Sequence, residues 1–299
     1  MKLKGILIAA ISSIIFGSSG LIQRPLYLDN VNPLNVLTCA YFVGSISLFI
    51  YILLKKGKSA FSLPKKSIRS LIIHSIFGTM AVTISYSFSV KYLDVSISTM
   101  LLYTYPVLIS LYSIIVLKEY VSKIKIISIA GTLIGSMLVL NIFGGTKTIS
   151  TIGLTIGIIS AFAYAFLSIY GDKMLKYNID PIVIVFYNNI ITFIGLVILN
   201  NQLLFNLGDL TPRIMISAAI LSIMCQIIPM SLLYIAIGMI GPVLTSIVTT
   251  IEIPAAAILS FLILGEHISL IQWGGITIVL LCLVLLKMEK PKIIETKES

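Results

Sequence analysis

Residues 151–170 read TIGLTIGIISAFAYAFLSIY, twenty positions without a charged side chain, closed by Gly171-Asp172-Lys173. A bilayer core is about 30 Å thick, so a helix rising about 1.5 Å per residue needs roughly 20 apolar residues to cross it. The stretch fits a membrane span. Working outward, residues 181–199 (PIVIVFYNNIITFIGLVIL) are again free of charge. The same rule places further spans near 3–22, 34–54, 68–90, 95–117, 124–142, 213–237, 241–264 and 270–286. The predicted fold class is an all-α integral membrane protein with ten transmembrane helices, arranged as two inverted five-helix repeats.

Composition supports this. Of 299 residues, 58% are hydrophobic and 11% charged, with a mean hydropathy of +1.08, whereas soluble domains carry about 25% charged residues. The net charge of +10 sits in short clusters at span ends, where it meets cytoplasm and anionic headgroups. The expected partner is the lipid bilayer, not nucleic acid, because no basic groove or nucleic-acid motif accompanies the charge. Cys39, Cys225 and Cys282 all fall inside apolar runs without C-x-x-C spacing. They read as small buried hydrophobes, and no metal or cofactor is expected. The opening Met1-Lys2-Leu3-Lys4 lacks a following small-x-small cleavage site and reads as the start of a retained first helix.

With the N-terminus inside, 17 of the 21 Lys and Arg residues fall on the cytoplasmic side, leaving Arg24, Lys91, Lys147 and Arg213 outside. That asymmetry is what the positive-inside rule demands. An even number of spans puts both termini in the cytoplasm, and the expected location is a bacterial inner membrane.

The two halves echo each other. Gly5 and Pro33 recur 148 residues later as Gly153 and Pro181. Leu117, Glu119, Ser122, Ile124 and Ile129 recur 147 residues later as Leu264, Glu266, Ser269, Ile271 and Ile276. Five spans per half is an odd number, so the second half is expected upside down, as in many secondary transporters. The expected units are 1–146, 147–287 and a cytoplasmic tail at 288–299.

Four further stretches carry a resemblance. They are Leu101-Leu102-Tyr103-Thr104-Tyr105-Pro106 followed by Leu117-Lys118-Glu119, then Leu264-Gly265-Glu266-His267-Ile268-Ser269, then Gln272-Trp273-Gly274-Gly275. On these residues the chain resembles the EamA family of the drug/metabolite transporter superfamily, over nearly its whole length and in both halves. The resemblance implies a ten-helix carrier of small metabolites, often amino acids or their analogues, commonly moved outward. The chain departs from that pattern at Phe16 before Gly17, where the family often has tryptophan, and at Tyr41, where it often has arginine. It departs again where Ile253 separates Glu252 from Pro254.

A mid-span carboxylate costs about 2.5–3.5 kcal/mol on insertion scales, so Glu252 is protonated, paired or facing a wet cavity. Thr245, Thr249 and Glu252 follow i, i+4, i+7 and therefore share one helix face. On the functional reading this face lines the pathway, and Glu252 binds a substrate ammonium or takes up a proton. On the structural reading Glu252 bonds backbone groups freed beside Pro254. The repeat relates Ser98, Leu102 and Tyr105 to these three, Tyr86 to Tyr234, Phe16 to Tyr164, and Tyr41 to Asn189. The candidate substrate pathway is therefore Phe16, Tyr41, Tyr86, Ser98, Tyr105, Tyr164, Asn189, Gln226, Tyr234, Thr249 and Glu252, with packing or interhelical bonding as the other reading of each aromatic and amide.

Four weaker features remain. His74 is expected at the cytoplasmic interface rather than in a proton relay. Glu119 and Glu266 read as structural residues at span ends, and Trp273 as an interfacial anchor. Gly131-x-x-x-Gly135 and Gly153-x-x-x-Gly157 permit close helix approach, within the bundle or between protomers, so the oligomeric state stays open.

The leading function is alternating-access secondary transport of a small-molecule substrate, most readily export of amino acids or related compounds, with import of amino acids, nucleosides or other metabolites as the alternative. No P-loop suggests ATP drive, and no charged ring or carbonyl-filter motif suggests a channel. A non-transporting sensor or a membrane enzyme is the rival of another class. The short loops carry no cluster of paired His, Asp and Glu, so no enzyme is expected.

Overall fold

The structure, a computed structural model, describes residues 2–19, 21, 33–142, 150–200, 211–265 and 267–288. Among these the regular structure is helical, with no strand. In chain order the helices are α1 Lys2–Gly17, α2 Pro33–Lys55, α3 Lys65–Tyr92, α4 Val95–Leu102, α5 Tyr105–Ile115 and α6 Lys123–Val139, then α7 Thr151–Leu175, α8 Pro181–Leu199, α9 Pro212–Thr249, α10 Glu252–Leu264 and α11 Leu270–Met288. Six helical stretches are long and apolar enough to cross a membrane: α2, α3, the α4–α5 pair, α7, α8 and α9; α10 and Leu270–Leu286 of α11 are shorter apolar helices. The expected unit boundary at 146/147, Glu266 and the tail from 289 onward lie outside the described residues.

Local chemistry sets the helix starts. Ser122, Ser150, Asp180 and Thr211 each accept a bond from a backbone N–H in the first turn of α6, α7, α8 and α9, and proline stands at the start of the last two. Gly241 (φ 77°), followed by Pro242, kinks α9. Gly265 (φ 68°) ends α10 in the left-handed region that glycine enters without strain.

The irregular points recur at one spacing. Ser75–Met80 in α3 is a π turn, and so is Ser222–Ile227 in α9, 147 residues later. The α4–α5 break at Tyr103-Thr104 recurs between α9 and α10 at Thr250-Ile251, again 147 residues on. That second break interrupts the face expected to carry Thr245, Thr249 and Glu252 together: the threonines end one helix and Glu252 starts the next. The starts of α3 and α9 keep the 147-residue spacing, whereas those of α2 and α8 are 148 apart.

Packing follows the same correspondence. α1 lies against α9 and α10, and α7 lies against α3, α4 and α5; α2 packs on α8, and α6 on α11. The glycine stripes serve contacts inside the bundle. A methyl group at Gly135 would stand 2.7 Å from Val279 and 2.9 Å from the Gly275 carbonyl oxygen, and one at Gly157 2.9 Å from Ser89 Oγ. The outer surface is apolar. Leu3, Leu7, Ile11 and Ile14 form an exposed stripe along α1, as Leu281, Val284 and Leu285 do on α11, while Ser12, Ser98, Thr192 and Asn188 are buried. Such an inside-out distribution suits a hydrocarbon solvent. Buried hydroxyls satisfy themselves largely within their own helices, as Ser45 does on the Tyr41 carbonyl at 2.8 Å and Ser110 on the Pro106 carbonyl at 2.9 Å.

Candidate functional site

A cavity of about 140 Å³ lies between α1, α2, α3, α7, α8 and α9, near the middle of the longer helices. Eight of its twelve lining residues form four pairs spaced by 147 or 148: Phe16 with Tyr164, Tyr41 with Asn189, Thr79 with Gln226, and Thr83 with Met230. Val82, Leu167, Val185 and Asn188 complete the wall. Each π turn contributes one residue, Thr79 from the first and Gln226 from the second. π turns displace side chains by a fraction of a helical turn and recur at functional sites.

The wall is aromatic and neutral-polar. Tyr41 and Thr83 share a hydrogen bond of 2.8 Å. Asn189 donates from Nδ2 to the Val185 carbonyl at 2.9 Å, whereas its Oδ1 and the Oε1 of Gln226 are buried without a hydrogen-bond partner among the described residues. Ser222 Oγ is in the same condition, and all three oxygens crowd Gly44: a methyl there would stand 2.6, 2.7 and 3.3 Å from Asn189 Oδ1, Ser222 Oγ and Gln226 Oε1. Buried acceptors without donors are costly, which sets Asn189 and Gln226 apart from the satisfied polar groups around them.

Of the residues singled out from sequence, Phe16, Tyr41, Tyr164, Asn189 and Gln226 line this cavity. Three others gather beside it. Glu252 lies beside Tyr103; the Tyr103 and Tyr105 rings lie 5.9 Å apart, and Tyr105 packs 4.3 Å from Tyr164. The Tyr105 hydroxyl bonds Thr249 Oγ1, joining α5 to the end of α9. Tyr164 thus belongs to both groups, linking the cavity wall to the cluster that holds Glu252. The others do not line the cavity: Tyr86 bonds Thr99 at 2.9 Å, and Ser98 accepts from Ser89 at 3.0 Å. Tyr234 lies 0% exposed against Asn188. Tyr86 and Tyr234 are not counterparts, because the 147 spacing of α3 and α9 sets Leu233 opposite Tyr86.

His74 corrects the sequence expectation outright. It is 0% exposed, not interfacial, and is held among Asn188, Leu167 and Tyr234. Sequence reasoning also passed over Thr79, Thr83 and Met230. The 147-residue offset from Gln226 and within the pair itself was the available signal.

A family model described as the EamA-like transporter family matches this chain twice, over residues 3–141 and 151–288. The chain belongs to the EamA-like transporter family. It is a membrane transporter. An uncharacterized inner membrane transporter of Salmonella typhimurium, YicL, is 24% identical over 295 residues, covering 96% of both chains. A crystal structure with 15% identity superposes with a TM-score of 0.78 over 96% of this chain and 97% of the other, which shows the shared fold. Within the EamA frame, two of the departures noted in the sequence, Phe16 and Tyr41, line the cavity. The third, Glu252-Ile253-Pro254, starts α10 beside it. The backbone carbonyl of Glu252 would lie 2.8 Å from a methyl at Gly17, so this glycine lets α1 approach α10.

Proposed function

We propose that this EamA-like transporter is a secondary carrier working by alternating access, built from ten spans as two inverted repeats, 1–146 and 147–287, with residues 288–299 as a cytoplasmic tail. The observation that carries this reading is the cavity wall made of four residue pairs related by the repeat spacing. Two halves of one ancestry that meet at a site can exchange conformations and expose it to either side in turn. An odd number of spans in each half supports inversion, and the recurring π turns and helix breaks support the division itself. The inner membrane with both termini cytoplasmic is the location we infer, from the charge asymmetry and the naming of the Salmonella relative.

The substrate class we infer is an amino acid or related amine, moved outward. Unpartnered carbonyl oxygens on Asn189 and Gln226 suit an ammonium group, and the rings of Phe16, Tyr41 and Tyr164 suit its apolar part. Glu252, one aromatic layer away through Tyr105 and Tyr164, is the carboxylate that takes up a proton or the substrate's charge. The test is uptake and counterflow in proteoliposomes with a pool of labelled amino acids under an imposed pH gradient. Saturable movement is expected; a folded protein that moves nothing in the pool overturns the amino-acid reading.

A further inference from the structure

Asn189 and Gln226 each bring to the cavity wall an amide oxygen with nothing to accept from. Asn189 donates from Nδ2 to the Val185 carbonyl at 2.9 Å, which fixes the amide and turns Oδ1 the other way. There it meets Gln226 Oε1 and Ser222 Oγ, and none of the three is hydrogen-bonded among the described residues. All three lie within 3.3 Å of one point beside α2, where Gly44 lacks a methyl. Asn189 is 3% and Ser222 0% exposed, whereas Gln226 is only partly buried, so the Gln226 amide forms the lip between this recess and the cavity.

The π turn of the first half also meets an amide oxygen, and closes on it. Ser75, 147 residues before Ser222, donates to Asn188 Oδ1 at 2.8 Å, and His74, with its ring proton on Nδ1, adds a second donor at 3.2 Å. In the second half Leu221 stands where His74 does, so the nitrogen donor is gone. Gly44 stands where α8 has Thr192, 148 residues later, so side-chain volume is gone too. What is left is a recess of three oxygens, two of which can only accept. The residues lining the cavity include no carboxylate, so a divalent metal ion lacks the anionic ligands it needs there.

We propose that Ser222 completes, with Asn189 and Gln226, a subsite for a primary ammonium group, and that this subsite selects primary over N-methylated amines. This rests on the amine reading above and adds to it the place of the nitrogen. An R–NH₃⁺ group carries three donors, one for each oxygen, at the short distances usual for charged donors, about 2.7–2.9 Å. Its carbon points back past Gln226 into the cavity, where the rings of Phe16, Tyr41 and Tyr164 take the apolar part. A quaternary ammonium has the same charge but no N–H; the rings hold it, and the three oxygens stay unpaired. Gly44 sets the size limit, since a methyl there would stand 2.6 Å from Asn189 Oδ1 and 2.7 Å from Ser222 Oγ and take the nitrogen's room.

The probes are n-butylammonium and n-butyltrimethylammonium chloride, which share charge and chain and differ in their N–H groups. Each is titrated into the purified protein in lipid nanodiscs, against sodium chloride at equal ionic strength, and binding is read from the rise in melting temperature. Butylammonium is expected to stabilise the protein at concentrations about tenfold below those the trimethyl probe needs. Ser222→Ala, checked by a monodisperse elution profile, is expected to weaken butylammonium about tenfold and leave the trimethyl probe unchanged. Equal titrations of the two amines in the wild type, or no stabilisation beyond that of sodium chloride, overturn the subsite without recourse to any variant; so does an unchanged butylammonium titration in Ser222→Ala. Counterflow of the labelled amino-acid pool judges the amine reading separately. Movement of the pool with equal amine titrations keeps that reading and removes the subsite. A preference for butylammonium that Ser222→Ala abolishes, without movement of the pool, keeps the subsite and removes the amino-acid carrier.

Discussion

At the scale of single residues, Glu252 has two separable roles. Its side chain meets Tyr103 and its backbone carbonyl packs on Gly17, so the structural contribution is divided between atoms that a conservative exchange distinguishes. Glu252→Gln keeps the shape and a hydrogen bond but removes the charge. We expect unchanged expression and a monodisperse elution profile, with transport or its pH dependence altered; loss of folded protein would instead assign Glu252 to the structure. Tyr41→Phe tests the cavity directly, by removing the hydroxyl bonded to Thr83. On the carrier reading the same hydroxyl also bonds the substrate, and losing such a bond, worth about 1 kcal/mol net, should lower the apparent affinity measured by counterflow about fivefold. An unchanged affinity would place the substrate elsewhere than this wall. Residue roles were only half legible beforehand. Phe16, Tyr41, Tyr164, Asn189 and Gln226 stood out as polar or aromatic groups inside apolar runs and line the cavity. His74 was misplaced because depth along a helix says nothing about direction: in a membrane bundle the lipid face and the packed face are both apolar, and little periodicity separates them.

At the scale of elements, charge-free runs located the helices well, since desolvating a charge is the dominant cost and bounds each span visibly. Residues 181–199 matched the observed Pro181–Leu199. The π turns were not legible, because Ser75–Met80 and Ser222–Ile227 draw on the same small and apolar residues as their surroundings. Nor was the change of register between α2 and α3, which pairs Tyr86 with Leu233 rather than Tyr234, as no residue marks a one-position difference in a loop. The contact of α6 with α11 makes a sharp element-scale prediction. Gly135 meets the Gly275 backbone at a distance no side chain tolerates. Gly135→Leu should push the helices apart and destabilise the protein by about 1–3 kcal/mol, read as a lower melting temperature in detergent. Gly274→Leu, where a methyl would meet nothing within 4 Å, should melt near the wild-type temperature. Equal losses in both would show that the α6–α11 contact is not what Gly135 serves.

At the scale of the whole molecule, two halves that exchange conformations must be inverted, and inversion depends on which side each loop occupies. Charge speaks to this independently of packing. The cluster Lys55, Lys56, Lys58, Lys65 and Lys66 surrounds the turn between α2 and α3, while Lys147 is the sole Lys or Arg between Lys125 and Lys173. If the halves were parallel, α2–α3 and α8–α9 would open to the same side; inverted, they open to opposite sides, and the lysine-rich turn is the one expected in the cytoplasm. Lys56 of that turn is paired with Asp180 at the head of α8, so the α7–α8 connection must share its side. That leaves the connection before α7 on the opposite face, since α7 crosses between them. A single cysteine introduced by Thr148→Cys, in a chain whose Cys39, Cys225 and Cys282 are alanine, should therefore react with a membrane-impermeant maleimide added to intact cells. Ser59→Cys should react only after the membrane is opened. Labelling of both from outside would mean that α7 does not cross, removing the odd span number that inversion requires; the reverse pattern would keep the inversion and turn the molecule over.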